Sequence, residues 1–111
     1  RKKESIEELG DKFLERVYTK KEIEYCESKK SQKYQHYAAR FAAKEAGFKA
    51  ISSKLHNKYD IGWKNIEVVN DENGRPYIYF LDIEINEIQE IDISISHCKE
   101  YAIANVVVMW E

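Results

Sequence analysis

The chain has 111 residues, enough for one domain with one modest core, and its apolar (43%) and charged (34%) fractions are ordinary for a globular protein. No apolar run is long enough to span a bilayer, no segment resembles a signal peptide, and no repeat or low-complexity tract divides the chain. Cys26 and Cys98 fit no metal-ligand spacing, so the expectation is a cytoplasmic protein with both thiols reduced. The net charge of −2 conceals an asymmetry. Residues 29–64 hold nine basic and two acidic side chains, whereas residues 65–111 hold two basic and ten acidic. A positive segment on an acidic chain reads either as a solvated face or as an anion site.

In chain order, Ser5 to Leu9 read as the end of a helix stopped by Gly10, and Asp11 to Val17 as a second helical piece. Thr19-Lys20-Lys21-Glu22 matches a capping box and starts a helix to about Ser28. Ser31 to about Ile51 is a long amphipathic helix, followed by a polar basic loop over 52–60. A strand is expected over 65–70 and its return over 77–81. Between them, Asn73-Gly74 favours positive φ at both central positions of a turn. Asp82 to Gln89 is ambiguous, with a short helix as one reading. Ile91, Ile93 and Ile95 alternate with Asp92, Ser94 and Ser96 as in a half-buried strand, and the apolar run from Tyr101 to Trp110 suits a central strand. Helices first and antiparallel strands later predict an α+β fold in a single domain, residues 1–111.

The long helix carries the chemistry. At helical spacing Ala38, Phe41, Ala42 and Phe48 form an apolar stripe, and Glu45 falls inside it. A carboxylate on a buried face needs a positive partner, and Arg40, Lys44 and Lys49 lie within about one turn. One inward acid among three bases points to a site for a metal-bound, phosphate-rich ligand. The bland alternative is a surface ion pair of Glu45 with Lys44 or Lys49. By the same reading His36 and His56 are exposed, Asp82 and Asp92 face solvent, Ser94 and Ser96 support the strand and the ligand pocket, and both cysteines are packing residues.

Arg40-Phe41-Ala42-Ala43-Lys44-Glu45-Ala46-x-x-Lys49-Ala50, the Gly74-Arg75-Pro76 turn and Ser94-Ile95-Ser96-His97 together resemble the holo-[acyl-carrier-protein] synthases, the short bacterial type of 4′-phosphopantetheinyl transferase. Gly10, Phe13 to Thr19 and Glu22 extend the resemblance over nearly the whole chain. It implies the transferase fold as a single half-unit. It also implies transfer of 4′-phosphopantetheine from coenzyme A to a serine of apo acyl carrier protein, with Mg²⁺ and release of adenosine 3′,5′-bisphosphate, for fatty acid biosynthesis. Residue by residue, Glu45 matches the metal-binding glutamate and Lys49 a lysine on the coenzyme's phosphates, and these two are the catalytic candidates. Arg40, Lys44 and His97 match further coenzyme-binding positions. The proton of the attacking serine goes either to a metal-bound water or to Glu45. Arg1, Lys12, Phe13 and Arg16 match the surface on which the acidic carrier protein docks. Longer members hold two such halves in one chain, so this one is expected to assemble as a homotrimer, with Tyr101–Trp110 and Phe80-Leu81 at the contact.

Two departures accompany the resemblance. The family begins with a Gly-Ile-Gly-x-Asp-Ile strand, and Arg1 lines up with an arginine shortly after it. The strand and its metal-binding aspartate are therefore expected to belong to the native protein, and the 111 residues hold half of the metal site. In place of a glycine-rich loop after Lys49 stands Ala50-Ile51-Ser52-Ser53-Lys54-Leu55-His56-Asn57-Lys58, which leaves Ser52, Ser53 and Lys54 as substitutes. Two other functions compete: a non-catalytic anion- or RNA-binding module using 29–64, and an inactive interaction protein of the same fold. Net acidity and the lack of an aromatic RNA-binding signature weigh against the first.

Overall fold

The computed structural model describes residues 2–55, 61–83, 85, 87–98 and 100–111, with side chains from residue 10 onward. Helix α1 spans Lys2–Val17, α2 Lys20–Glu27 and α3 Lys33–Ile51, followed by strands β1 (Ile66–Asn70), β2 (Pro76–Phe80), β3 (Ile88–His97) and β4 (Ala102–Trp110). The expected α+β order is present. β1 pairs antiparallel with β2, and β3 with β4, each as a two-stranded ladder. Among the described residues no ladder joins the two hairpins, although β2 lies against β3.

Local sequence accounts for most element ends. Gly10 breaks α1 into two pieces with φ 69° and ψ −158°, a conformation that only glycine adopts at no steric cost. The Thr19–Glu22 capping box opens α2: the Thr19 N–H donates to Glu22 Oε1 at 2.9 Å, and the Glu22 N–H donates to Thr19 Oγ1 at 3.3 Å. A 3₁₀ turn at Lys30–Gln32 leads into α3. In the β1–β2 turn only Gly74 has positive φ (83°), not Asn73 as expected. Asp71 explains this: its Oδ1 accepts from the Asn73 and Arg75 N–H groups, and its backbone pairs with Gly74 and Arg75. The carboxylate thus shapes a longer turn than a two-residue Asn-Gly hairpin needs.

In the C-terminal half one ambiguous reading is resolved and one expectation fails. Among the described residues of 82–89 there is no helix; Asp82 and Glu87 take positive φ and β3 starts at Ile88. β4 is not central among the described residues: it pairs on one edge only, and Ile103, Val107 and Met109 are more than half exposed on its outer face. Its inner face, including Ala104 and Val106, packs with Ile91, Ile93 and Ile95 against Ala43, Ile66, Val68 and Ile78. A second cluster joins Val17, Tyr18, Cys26 and Tyr37 between the helices. α3 runs between the two clusters, touching α1, α2, β1, β3 and β4. At Gly47 α3 packs closely on the β1–β2 hairpin: a Cβ there would stand 2.6 Å from Ile78 Cδ1.

Candidate functional site

The face that α3 buries is not the one its sequence advertises. Tyr37, Ala39, Arg40, Ala43, Lys44, Gly47 and Ile51 are buried, while Ala38, Phe41, Ala42 and Phe48 are half-buried and Glu45 is exposed. The inward acid is Glu22 of α2. It is fully buried and accepts from Lys44 Nζ at 2.5 Å and from the Thr19 N–H through Oε1, and from the Val68 N–H at 2.8 Å through Oε2. Thr19 Oγ1 donates in turn to the buried Glu67 at 2.6 Å. One carboxylate thereby joins the start of α2, the middle of α3 and β1. Burial lowers the Lys44 pKa, and the Glu22 carboxylate opposes that shift. This corrects the assignment of Lys44 to the coenzyme: a fully buried ammonium tied to Glu22 has no face left for a ligand. It also shrinks the positive segment, because Lys44 spends its charge inside.

The remaining candidates fall into two cavities. Glu45 and Lys49, one turn apart and both exposed, line a cavity of about 390 Å³ with Phe48, Ile61, Gly62, Trp63 and Ile66. Its far wall is held by Asn65, which accepts from the Gly62 N–H at 2.8 Å and donates to the Leu81 carbonyl at 2.7 Å. Trp63 stacks on Phe41, with centroids 4.9 Å apart. Among the described residues no three acidic, His or Cys side chains gather to hold a metal. Glu45 alone fits Mg²⁺ as a hard, accessible oxygen donor, and Mg²⁺ commonly takes its other ligands from phosphates and water.

Arg40 and His97 meet in a second cavity, of about 170 Å³, with Tyr25, His36, Asn70, Gly74 and Ile95. Arg40 is only 2% exposed; its guanidinium lies 3.8 Å above the Tyr25 ring and donates to Asn70 Oδ1, while its Nε has no hydrogen-bond partner among the described residues. His97 is exposed, and its ring sits 4.8 Å from that of His36. Ile95, rather than the exposed Ser94 and Ser96, lines this cavity.

His36, expected in solvent, is half-buried, and burial together with charge on His97, Lys29 and Arg40 pushes its pKa down from 6.5 to about 4. The folded value lies below the unfolded one. Between pH 6.5 and 4 the unfolded chain therefore binds a proton that the folded chain refuses, and His36 makes stability fall as pH is lowered through that window. An NMR titration of the His36 ring should show a midpoint below 5; a midpoint near 6.5 contradicts this.

Of the docking candidates, Lys12 and Arg16 are exposed, but Phe13 packs partly against the Val17–Tyr37 cluster and offers only its outer edge. Arg1 and His56 lie outside the described residues, as does the rest of 56–60. Lys54, proposed for the coenzyme, pairs with Glu87 at 3.2 Å and lies over the Trp110 ring. Cys26 is buried, with its thiol pushed up to about 12 by that burial, whereas Cys98 is exposed; both are free thiols, and only Cys26 is a packing residue. Tyr25, His36, Asn70 and Trp63 were missed as site residues.

The family model of the 4′-phosphopantetheinyl transferase superfamily matches residues 1–106. The chain belongs to this superfamily and, within it, to the holo-[acyl-carrier-protein] synthases. It is 44% identical to the holo-[acyl-carrier-protein] synthase of Ruminiclostridium cellulolyticum, over 96% of this chain and 81% of that protein. It is 40% identical to that of Solibacter usitatus, over 93% and 84%. Among solved structures it is similar to the Bacillus anthracis holo-(acyl-carrier-protein) synthase in complex with CoA (3′,5′-ADP), with a TM-score of 0.74 and 37% identity over 97% of this chain and 89% of that one. It is also similar to the Helicobacter pylori enzyme in complex with coenzyme A, with a TM-score of 0.76 and 28% identity over 98% and 91%.

Proposed function

We propose that this chain transfers the 4′-phosphopantetheine group of coenzyme A to a serine of apo acyl carrier protein, in the cytoplasm and in support of fatty acid biosynthesis. The observation that carries the reading is that Glu45 and Lys49 line the same 390 Å³ cavity, in a chain 44% identical to a holo-[acyl-carrier-protein] synthase. Glu45 is the Mg²⁺ ligand from this chain, and Lys49 binds phosphate oxygens. Mg²⁺ held by Glu45 would supply neutralisation of the pyrophosphate's charge during transfer. The apolar wall of Phe48, Ile61 and Trp63 limits water at the reacting phosphorus. Arg40 and His97 supply the positive wall for the coenzyme's other phosphate, the unpartnered Arg40 Nε being a donor without its acceptor. The purified protein should release adenosine 3′,5′-bisphosphate only when Mg²⁺ and apo carrier protein are both present; release without carrier protein would mark a hydrolase instead.

Position on α3 supports the homotrimer. Arg40 and Glu45 are five residues apart, about 140° around the helix axis and about 7.5 Å along it. They open into separate cavities of one chain. A single coenzyme meets both sets if one copy supplies Glu45 and Lys49 and its neighbour supplies Arg40 and His97. The exposed Ile103, Val107 and Met109, with Tyr101 beside them, form an apolar strip suited to that contact. Light scattering should give three times the chain mass, and a monomer at assay concentration contradicts the shared site.

The carrier protein docks on α1 through Lys12 and Arg16, around the outer edge of Phe13, with Arg1 as a further contact. Charge reversal at Lys12 and Arg16 should raise the carrier-protein KM by about tenfold, since each lost charge contact is worth roughly a factor of three or more. Coenzyme A binding should not change. An effect confined to coenzyme A would contradict the docking face.

A further inference from the structure

Four planar side chains are stacked in sequence across the second cavity. The Arg40 guanidinium lies 3.8 Å over the Tyr25 ring, Tyr25 meets His36 edge-on at 5.6 Å, and His36 meets His97 edge-on at 4.8 Å. Arg40, Tyr25, His36 and His97 all line the same 170 Å³ space. The two ends of the stack are the two groups read as coenzyme contacts, and the two middle members had no role.

The middle members are fixed and the last is not. His36 stands on α3, held between the Tyr25 and His97 rings. Tyr25 also packs against Arg40 and against Lys29, whose Nζ is 4.7 Å from the ring centre. His97 is the last residue of β3, is exposed, and makes no side-chain hydrogen bond among the described residues. Its ring contact is with His36. The groups facing His36 are Tyr25 and Lys29 from the α2 side, Arg40 from its own helix and His97 from β3. All the charged ones are basic, so His36 stays a neutral ring and serves as packing rather than as a second charge.

We propose that His36 is a positioning residue for coenzyme A: its ring holds the His97 imidazole in place beside Arg40, so that the ligand meets both groups already oriented. This rests on the reading of His97 as a coenzyme contact. Ordering an exposed imidazole in advance removes part of the entropy lost on binding, and an edge-to-face ring contact is of the size that matters for affinity.

The test uses steady-state transfer by the full chain. His36→Ala should raise the coenzyme A KM by about threefold to tenfold, the range set by an aromatic pair. The kcat and the carrier-protein KM should stay within about twofold. His36→Phe keeps a ring and should restore the wild-type KM. In a His97→Ala background, adding His36→Ala should change the KM by less than about twofold, because the group it positions is gone. A wild-type KM for His36→Ala overturns the proposal, and so do fully additive effects in the double variant. If His97→Ala itself leaves the coenzyme A KM unchanged, the coenzyme reading of His97 fails, and the positioning role falls with it. A KM raised by His97→Ala but not by His36→Ala defeats the positioning role alone.

Discussion

Replacing Lys44 by Met should destabilise the fold by about 3–5 kcal/mol in urea unfolding, a large part of the stability of a domain this size. The substitution keeps most of the length of the side chain and leaves the Glu22 carboxylate fully buried without its cation. Glu22 would still accept from the Thr19 and Val68 N–H groups, but those dipoles neutralise no net charge. Glu22→Gln combined with Lys44→Met removes both charges, and it should cost clearly less than the sum of the two single changes. A loss below about 1 kcal/mol for Lys44→Met would show that Glu22 has found water or has taken up a proton. Because Lys44 lines neither of the two described cavities, its variants should lose folded protein rather than coenzyme affinity.

The opposite behaviour is expected one residue further on. Glu45→Gln should lower kcat by a factor on the order of 10³, the scale for removing one group that stabilises charge in a transition state. Its unfolding free energy should stay within about 0.5 kcal/mol of wild type, as for exposed positions generally. Glu45 is exposed and outside the network that Glu22 organises. The substitution keeps shape and removes the anionic oxygen that a hard cation needs. A loss of activity matched by a loss of stability would instead place Glu45 in the scaffold.

Lys44 and Glu45 also show what was readable in the sequence. The capping box, the stop at Gly10 and the two hairpins depend on residues close together in the chain, and their chemistry is local. The inward face of α3 is not local information. Apolar residues surround that helix: Ala38, Phe41 and Ala42 are as apolar as Ala39, Ala43 and Ile51, so periodicity does not single out the side that is buried. What decides it is Glu22, on another helix, whose capping role was legible while its pairing with Lys44 was not. The wrong stripe made Glu45 look like the buried acid, although the role given to Glu45 by resemblance does not depend on burial. For the same reason Lys44, a match by residue type, is a structural cation. Segment 82–89 stayed ambiguous for a different reason: its backbone turns at Asp82 and Glu87 with positive φ, and neither is a glycine that would have announced a turn. The contact of His36 with His97 joins α3 to the end of β3 and has no signature in either stretch alone.

The central claim is that Glu45 marks the centre of a phosphopantetheine transfer site. The most direct measurement is the mass of an apo acyl carrier protein after incubation with the full-length protein and coenzyme A. With Mg²⁺ present, the carrier should gain one phosphopantetheine group; the gain should vanish with a chelator and fall steeply with Glu45→Gln. An unmodified carrier under all conditions, or an equal gain with Glu45→Gln, would contradict the account.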